Sequence, residues 1–215
     1  YDEAGNLASR KDANNILTTY AYDALNRLTA IHFPDSYQDI TYTYDDPTLN
    51  GKGRLTGMSD PSGTMTYRYT SKGGLYKEIR TFTGLSGLSY TTTYAYDGNG
   101  NMTQVTYPSG SKVTYTYDAA DRLTVVTGQN GPVIDTLATL GDYLPYGPYQ
   151  TITLGNGVAT AVAYDSRYQF DGQTVTKGTQ VFLNHDYAHD ANGNVTSIAN
   201  LLDPPWGMTY GYDTQ

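Results

Sequence analysis

The chain has 215 residues, with 13 basic and 21 acidic side chains and a net charge of -8 at pH 7. This acidic balance excludes the Lys/Arg stripe that binds a phosphate backbone, so no nucleic acid partner is expected. No Cys is present and no apolar run approaches the roughly 18 residues of a membrane span, which excludes disulfides, thiolate metal sites and a spanning helix.

A tyrosine followed by an aspartate recurs along the whole chain. The intervals between successive pairs are 21, 22, 52, 21, 47 and 48 residues, so the long intervals are close to double the short ones. The pairs are Tyr1-Asp2, Tyr22-Asp23, Tyr44-Asp45, Tyr96-Asp97, Tyr117-Asp118, Tyr164-Asp165 and Tyr212-Asp213. We call them landmarks, and they predict an internal repeat.

Each long interval should contain a degenerate landmark. Tyr69-Thr70 and His189-Asp190 fill two of them, and residues 140–142 lie at about the right distance in the third. The sequence therefore predicts a single array over residues 1–215, with about nine repeats of 21 to 27 residues. Because both ends fall on a landmark, we expect a fragment of a longer protein.

Each repeat reads as two strands. Before the landmark, apolar or aromatic residues alternate with polar ones, as in Ile40, Tyr42 and Tyr44, which is typical of a half-buried strand. After it, Asp, Asn and Gly indicate a turn, and an apolar residue returns six positions on. In several copies a second apolar residue follows three later, as in Leu28 and Ile31. This odd spacing predicts a β-bulge or a residue still in the turn.

The fold class predicted is therefore all-β, with antiparallel hairpins that meet at tips such as Pro61-Ser62-Gly63 and Pro108-Ser109-Gly110. Helix should account for less than about one tenth of the chain. The landmark tyrosines should stack into ladders between repeats with their hydroxyls hydrogen-bonded. The aspartates should accept main-chain amides in the turns.

The order of Tyr-Asp, a Gly/Asn/Arg turn, Leu-Thr, a Pro-x-Gly tip and Thr-Tyr-x-Tyr-Asp closely resembles the YD repeats of the RHS family. That family includes RHS polymorphic toxins, the C component of Tc toxins, wall-associated repeat proteins and teneurins. The resemblance covers nearly all of the chain and is weakest over residues 128–162. It implies a curved, spiralling sheet that forms a hollow shell, which in toxin members encloses a C-terminal toxic domain.

Two patterns resemble metal sites. Asp-x-Asn-x-Asn occurs at residues 97–101 and 190–194, but the Gly and Glu that complete a calcium loop are missing, which favours an Asx turn. His185 and His189 are four residues apart, about 13 Å along a strand, which is too far to share one zinc ion. We therefore expect no metal and no cofactor.

Catalysis is also not expected. RHS shells are often closed by a core that cleaves itself through aspartates in a DPxGL-like motif, and residues 60–64 come near it with Thr64 in place of Leu. The leading hypothesis is a non-enzymatic segment of a secreted or cell-surface shell, whose partners are other repeats of the same chain and an enclosed toxin or effector domain. The alternative is a carbohydrate-binding or adhesive module, because exposed tyrosines could stack on sugar rings.

Overall fold

The computed structural model describes residues 1–85, 88–145 and 147–213. The alternating segments form antiparallel strands, and the only helices in this described part are three-residue 3-10 turns at 36–38, 47–49 and 204–206. The prediction of an all-β fold built from tandem antiparallel hairpins is confirmed. None of these helices is long or apolar enough to cross a membrane.

The chain divides into two compact units, Tyr1–Lys112 and Val113–Gln215. In the first unit each strand pairs with the next one along the chain. Its strands are β1 (Ser9–Lys11), β2 (Leu17–Tyr22), β3 (Leu28–His32), β4 (Ile40–Tyr44), β5 (Leu55–Asp60), β6 (Gly63–Tyr69), β7 (Leu75–Phe82), β8 (Ser89–Tyr96) and β9 (Met102–Thr106).

The second unit follows the same plan. Strand β10 begins with the last residue of the first unit, and the strands from β11 onward each pair with the next. The strands are β10 (Lys112–Tyr117), β11 (Leu123–Asn130), β12 (Val133–Gly141), β13 (Thr151–Leu154), β14 (Val158–Tyr164), β15 (Phe170–Lys177), β16 (Gln180–His189), β17 (Val195–Asn200) and β18 (Met208–Thr209).

The odd spacing after the landmark is a β-bulge. Ala21 lies opposite Ala30 while Tyr22 lies opposite Leu28, so the second strand carries one extra residue at this point. Among the strand pairs whose register the structure describes, this shift occurs beside six landmarks, Tyr22 included, and the extra residues are Thr29, Thr56, Tyr76, Thr103, Asp171 and Thr196. The threonine of the Leu-Thr motif is therefore usually the bulged residue.

Few side chains are fully buried. Among the described residues, the buried ones with side chains beyond glycine are Ala30, Val105 and Thr56. Strand β4 shows the usual arrangement, because its tyrosine face is half-buried while Thr41 and Thr43 on the other face are exposed. The hairpins therefore gain most of their stability from contacts with neighbouring hairpins rather than from a closed core.

Candidate functional site: the tyrosine and aspartate turns

The landmark aspartate organises the turn that follows it. The Asp23 carboxylate accepts the main-chain N–H groups of Leu25 at 2.9 Å and Arg27 at 3.0 Å, and the Asp23 N–H donates to the Arg27 carbonyl at 3.0 Å. The same arrangement recurs at Asp2, Asp97, Asp118, Asp165 and Asp190. Each carboxylate thus replaces the strand partner that the turn residues lack.

These hydrogen bonds favour the ionised carboxylates. The main-chain N–H of Arg27, and then its guanidinium, lower the pKa of Asp23 below its usual value. The Asn101 side chain likewise lowers the pKa of Asp97, and the Arg122 side chain lowers the pKa of Asp118. The aspartates are therefore acceptors in the folded chain and poorly suited to donate protons.

The degenerate landmark Tyr69-Thr70 keeps the turn with a different acceptor. The Thr70 hydroxyl accepts the Gly74 N–H at 3.0 Å, and the Thr70 N–H donates to the Gly74 carbonyl at 2.8 Å. Threonine can thus stand in for aspartate because its hydroxyl oxygen accepts the same turn N–H group.

The third degenerate landmark is Tyr143-Leu144, so the sequence-based placement at residues 140–142 is wrong by a few residues. The Leu144 N–H donates to the Pro148 carbonyl at 3.2 Å, the same turn bond that Asp23 makes to Arg27. Leu144 has no side-chain acceptor, and this loss hides the landmark from a search for a Tyr-Asp pair.

The landmark tyrosine hydroxyl joins one repeat to the previous one. The Tyr44 hydroxyl donates to the main-chain carbonyl of Leu28 at 2.8 Å, next to the bulged residue of the preceding hairpin. Equivalent bonds are Tyr22 to Leu7 at 3.2 Å, Tyr69 to Leu55 at 2.6 Å, Tyr96 to Leu75 at 2.8 Å, Tyr143 to Leu123 at 2.5 Å and Tyr212 to Val195 at 2.9 Å. These six bonds form the tyrosine bridges.

The threonine of the Leu-Thr motif can add a bond inside the repeat. The Thr56 hydroxyl donates to the Thr43 carbonyl at 3.2 Å, and the Thr124 hydroxyl donates to the Thr116 carbonyl at 3.0 Å. In both cases the acceptor precedes the landmark tyrosine. In both repeats the partner strand binds the threonine, and the tyrosine bridge of the next repeat binds the leucine before it.

Arginines four residues after the landmark extend the connection. The Arg27 guanidinium pairs with Asp23 in its own turn and with Asp45 in the next, and it lies over the Tyr44 ring at 4.4 Å. The Arg122 guanidinium pairs with the Asp118 carboxylate at 2.7 Å and lies over the Tyr143 ring at 4.7 Å from its centroid. The arginine therefore covers the landmark ring of the following repeat.

The predicted tyrosine ladders are only partly present in the described residues. Arg27, Arg54 and Arg122 occupy one side of the Tyr44, Tyr69 and Tyr143 rings, where a tyrosine from the neighbouring repeat was expected. A row of aromatic rings does occur at Tyr164, Phe170 and Tyr187, with edge-to-face contacts at 6.2 and 4.8 Å.

The remaining landmarks are arranged as follows. Tyr117 is half-buried at the end of β10, and Asp118 begins its turn. Tyr212 is 54% exposed, although its hydroxyl bridges to Val195, and Asp213 is exposed. The sequence search missed a similar turn at Asp12, whose carboxylate accepts two main-chain N–H groups, because no tyrosine precedes it.

The residues considered as metal ligands lie in separate surroundings. The Asp97 carboxylate accepts the N–H groups of Asn99, Gly100 and Asn101, which makes the run an Asx turn. His185 and His189 are half-buried on β16, and His189 occupies the landmark position. The described residues contain no group of three or more His, Asp or Glu that could hold a metal ion.

The motif at residues 60–64 forms a hairpin tip in which one carboxylate is fully engaged. Asp60 accepts the N–H and hydroxyl of Ser62, the N–H of Gly63 and the Arg80 guanidinium. The Ser62 side chain makes the largest contribution to lowering the pKa of Asp60. The carboxylate is thus held as a turn acceptor.

Comparison with family models shows what these turns resemble. The model described as RHS Repeat matches residues 1–38, 86–112 and 96–133. The matched segments include the landmarks Tyr22-Asp23, Tyr96-Asp97 and Tyr117-Asp118. No curated protein matches the chain.

Solved structures show the same fold. The TcdB2-TccC3 crystal structure matches with a TM-score of 0.73 and 19% identity, covering 93% of this chain and 11% of that one. The TcdB2-TccC3-Cdc42 crystal structure matches with a TM-score of 0.70 and 19% identity over 89% of this chain. The structure of a Photorhabdus luminescens Tc holotoxin pore with a TccC3 variant matches with a TM-score of 0.71 and 20% identity over 93% of this chain. The chain thus spans about a tenth of the length of these proteins.

Proposed function

We propose that this chain is a structural segment of a YD-repeat shell that encapsulates or displays a toxin or effector domain, and its match to the RHS Repeat model over residues 1–38, 86–112 and 96–133 supports this. The similarity to TcdB2-TccC3 chains over 93% of this chain supports the proposal. The partners are the neighbouring repeats of the same parent chain and the enclosed domain. The proposal places the protein outside the producing cell, as a secreted or surface protein.

The observation that carries the proposal is the set of tyrosine bridges. A wall must connect each hairpin to the next without requiring a globular core, and the Tyr44 hydroxyl makes this connection through the Leu28 carbonyl. Since the acceptor is a main-chain atom, the bond tolerates variation in neighbouring side chains. Repeats can therefore be added in series while each contacts only its neighbours.

The bridges favour this structural role over carbohydrate binding. Sugar recognition needs tyrosines with a free ring face and a free hydroxyl. Six landmark hydroxyls donate to main-chain carbonyls, and Arg27 covers one face of the Tyr44 ring.

The proposal also assigns no catalytic role to the segment. Asp60 is the residue to test, because Asp60-Pro61 lies in the motif that resembles a self-cleaving one. We expect the purified chain to keep its full mass on prolonged incubation, and Asp60→Asn to change its stability but not its length. Mass spectrometry of both proteins checks this. A fragment ending at Asp60 that appears in the unsubstituted chain but not in the Asp60→Asn variant would contradict it.

Encapsulation can be tested on the full-length gene product that contains this segment. Limited proteolysis should cut the region after the array slowly in the native product and rapidly when that region is expressed alone. Partial unfolding of the array with denaturant should remove the protection. Equal cleavage rates for the enclosed and the separately expressed region would reject the encapsulating role.

A further inference from the structure

The β11–β12 hairpin extends beyond the strand that follows it. β12 pairs with β11 up to the hairpin tip, but its pairing with β13 ends where Ala138 lies opposite Leu154. Just beyond this pair, the Gly155 N–H donates to the Leu137 carbonyl at 2.8 Å. Among the described residues, none pairs with the β13 side of residues 133–136. These four residues, which we call the open edge, span about 13 Å of extended chain.

A glycine turn directs β13 away from the open edge. A Cβ atom built at Gly155 would clash with the Thr136 carbonyl oxygen, so the two main chains come closest at this point. The Gly157 N–H then donates to the Leu154 carbonyl at 2.9 Å and closes the turn that leads into β14. A groove of about 680 Å³, lined in part by Asp135 and Leu154, opens where the strands separate. An added strand therefore has space beside the open edge.

The side chains beside the open edge are mainly apolar, with one carboxylate among them. A Cβ atom built at Gly128 would lie 3.1 Å from the Leu137 side chain, and Gly128 lies opposite Asp135, so Leu137 and Asp135 share a face. Strand alternation places Val133 on this face as well. Val133, Ile134 and Leu137 are 55%, 65% and 44% exposed. Asp135 is exposed and forms no ion pair with any described residue.

We propose that the open edge binds an extended segment of a partner protein by strand addition, and that this segment carries a basic side chain between two apolar ones. The main-chain groups of residues 133–136 that point away from β11 pair with the added strand. The basic side chain lies opposite Asp135, and the apolar ones, two residues to either side, lie near Val133 and Leu137. The sequence pattern recognised is therefore apolar-x-basic-x-apolar.

A second copy of this chain fits the open edge less well than a basic partner. If two open edges paired antiparallel around Asp135, the two carboxylates would lie opposite each other, and like charges in this position are destabilising. The net charge of -8 on each chain adds to the repulsion. Asp135 therefore opposes self-pairing and favours a partner of opposite charge.

The test measures binding of two capped peptides, Thr-Val-Thr-Lys-Thr-Val-Thr and the same peptide with Glu at its centre, to the folded 215-residue chain. Fluorescence anisotropy should show the lysine peptide binding at least about fivefold more tightly. Asp135→Lys should reverse this preference, because the charge that selects the peptide is inverted. Asp186→Lys is the matched control, since Asp186 is also exposed but its strand is paired on both sides, and it should keep the original preference.

Methylation of the peptide main chain separates strand addition from charge attraction. Two lysine peptides, N-methylated at the odd or at the even positions, keep their charge but lose the N–H groups of one edge. One of them should fail to bind and the other should bind. The proposal is rejected if both bind equally, if the lysine peptide does not bind at about 1 mM, or if Asp135→Lys leaves the preference unchanged. Dimerisation of the chain that blocks peptide binding would also reject it, because a second copy would then occupy the open edge.

Discussion

The landmark tyrosine contributes a ring and a hydroxyl to two different contacts. At Tyr44 the ring lies under the Arg27 guanidinium, and the hydroxyl reaches the Leu28 carbonyl of the preceding hairpin. Burial raises the pKa of Tyr44, so its hydroxyl stays protonated and remains a donor at neutral pH. The residue therefore connects a side-chain contact with a main-chain one.

Truncation of this side chain should separate the two contributions. We expect Tyr44→Ala to lower the free energy of unfolding by about 2 to 4 kcal/mol, because it removes a half-buried ring and a hydrogen bond. Tyr44→Phe should cost about 1 kcal/mol, since the ring remains and the Leu28 carbonyl loses its donor. Chemical denaturation measures both.

Thr43→Ala is the matched control on the opposite, exposed face of the same strand. It should cost less than about 1 kcal/mol, because the Thr43 carbonyl that binds Thr56 is retained. A loss at Thr43 equal to that at Tyr44 would mean that the tyrosine face is not the one that holds the repeats together.

At the scale of the hairpin, the two ends of a repeat are held differently. The end at the landmark is held by a bulge and an Asx turn, and the hairpin tip can be held by a close approach of main chains. At the β5–β6 tip, Gly63 has φ of 144°, a conformation that other residues rarely adopt. A Cβ atom built there would lie 1.9 Å from the Thr81 carbonyl oxygen of the next strand. The tip therefore requires glycine for both its conformation and its packing.

Alanine substitution tests this close approach. Gly63→Ala should destabilise the chain by about 2 kcal/mol or more, because the turn is strained and β7 must move away. Gly98→Ala is the control, since its Cβ would meet no atom within 4 Å, and it should change stability by less than about 0.5 kcal/mol. Thermal melts of the two variants that coincide would contradict the assignment.

The sequence predicts the strands better than the contacts between repeats. Alternation over Ile40, Tyr42 and Tyr44 is a local signal, and the odd spacing of Leu28 and Ile31 anticipates the bulge because it counts residues along one strand. The arginine that covers the Tyr44 ring comes from the preceding turn. Strand periodicity contains no information about this contact, so it predicts more tyrosine stacking than the structure contains.

Degenerate copies of the repeat keep the hydrogen bonds of the landmark without its Tyr-Asp sequence. Tyr143 was missed because Leu144 replaces the aspartate, yet the Tyr143 hydroxyl still bridges to Leu123. The turn bond from the Leu144 N–H to Pro148 depends on main-chain geometry, which many sequences can adopt. The repeat is thus defined more consistently by its hydrogen bonds than by its two landmark letters.

For the molecule as a whole, stability should come from many weak connections. Among the described residues, the buried side chains beyond glycine are those of Ala30, Val105 and Thr56. With so little side-chain burial, hydrogen bonds of the turns and bridges contribute an unusually large share. Conditions that change those bonds should affect every repeat.

Chelation should have no effect on these connections. The Asp97 and Asp190 oxygens accept N–H groups of their own turns, including the Asn101 and Asn194 side-chain amides at 3.0 and 2.9 Å. They need no cation to satisfy them. We expect the melting temperature to be the same with and without EDTA, and a fall of several degrees on chelation would show that the turns hold metal.

Acid should weaken the whole array because its carboxylates act together. In the described part of the folded chain, ten aspartates have a pKa below their usual value, at positions 2, 23, 39, 45, 46, 60, 97, 118, 165 and 190. In the unfolded chain an aspartate has a pKa of about 3.9. As the pH falls toward and below that value, the unfolded state binds protons first and is favoured.

The stability from these groups is therefore fully present above about pH 5 and is lost as the pH falls through the lowered pKa values of the folded chain. Thermal melts followed by circular dichroism should give a constant melting temperature down to about pH 5 and a steep fall below about pH 4. Asp97→Asn should melt lower at neutral pH and show a shallower acid dependence, because one titrating acceptor is gone. Asp135→Asn, at an exposed strand position, should follow the parent curve. A melting temperature that stays flat or rises in acid would mean that the aspartate turns contribute little to holding the repeats.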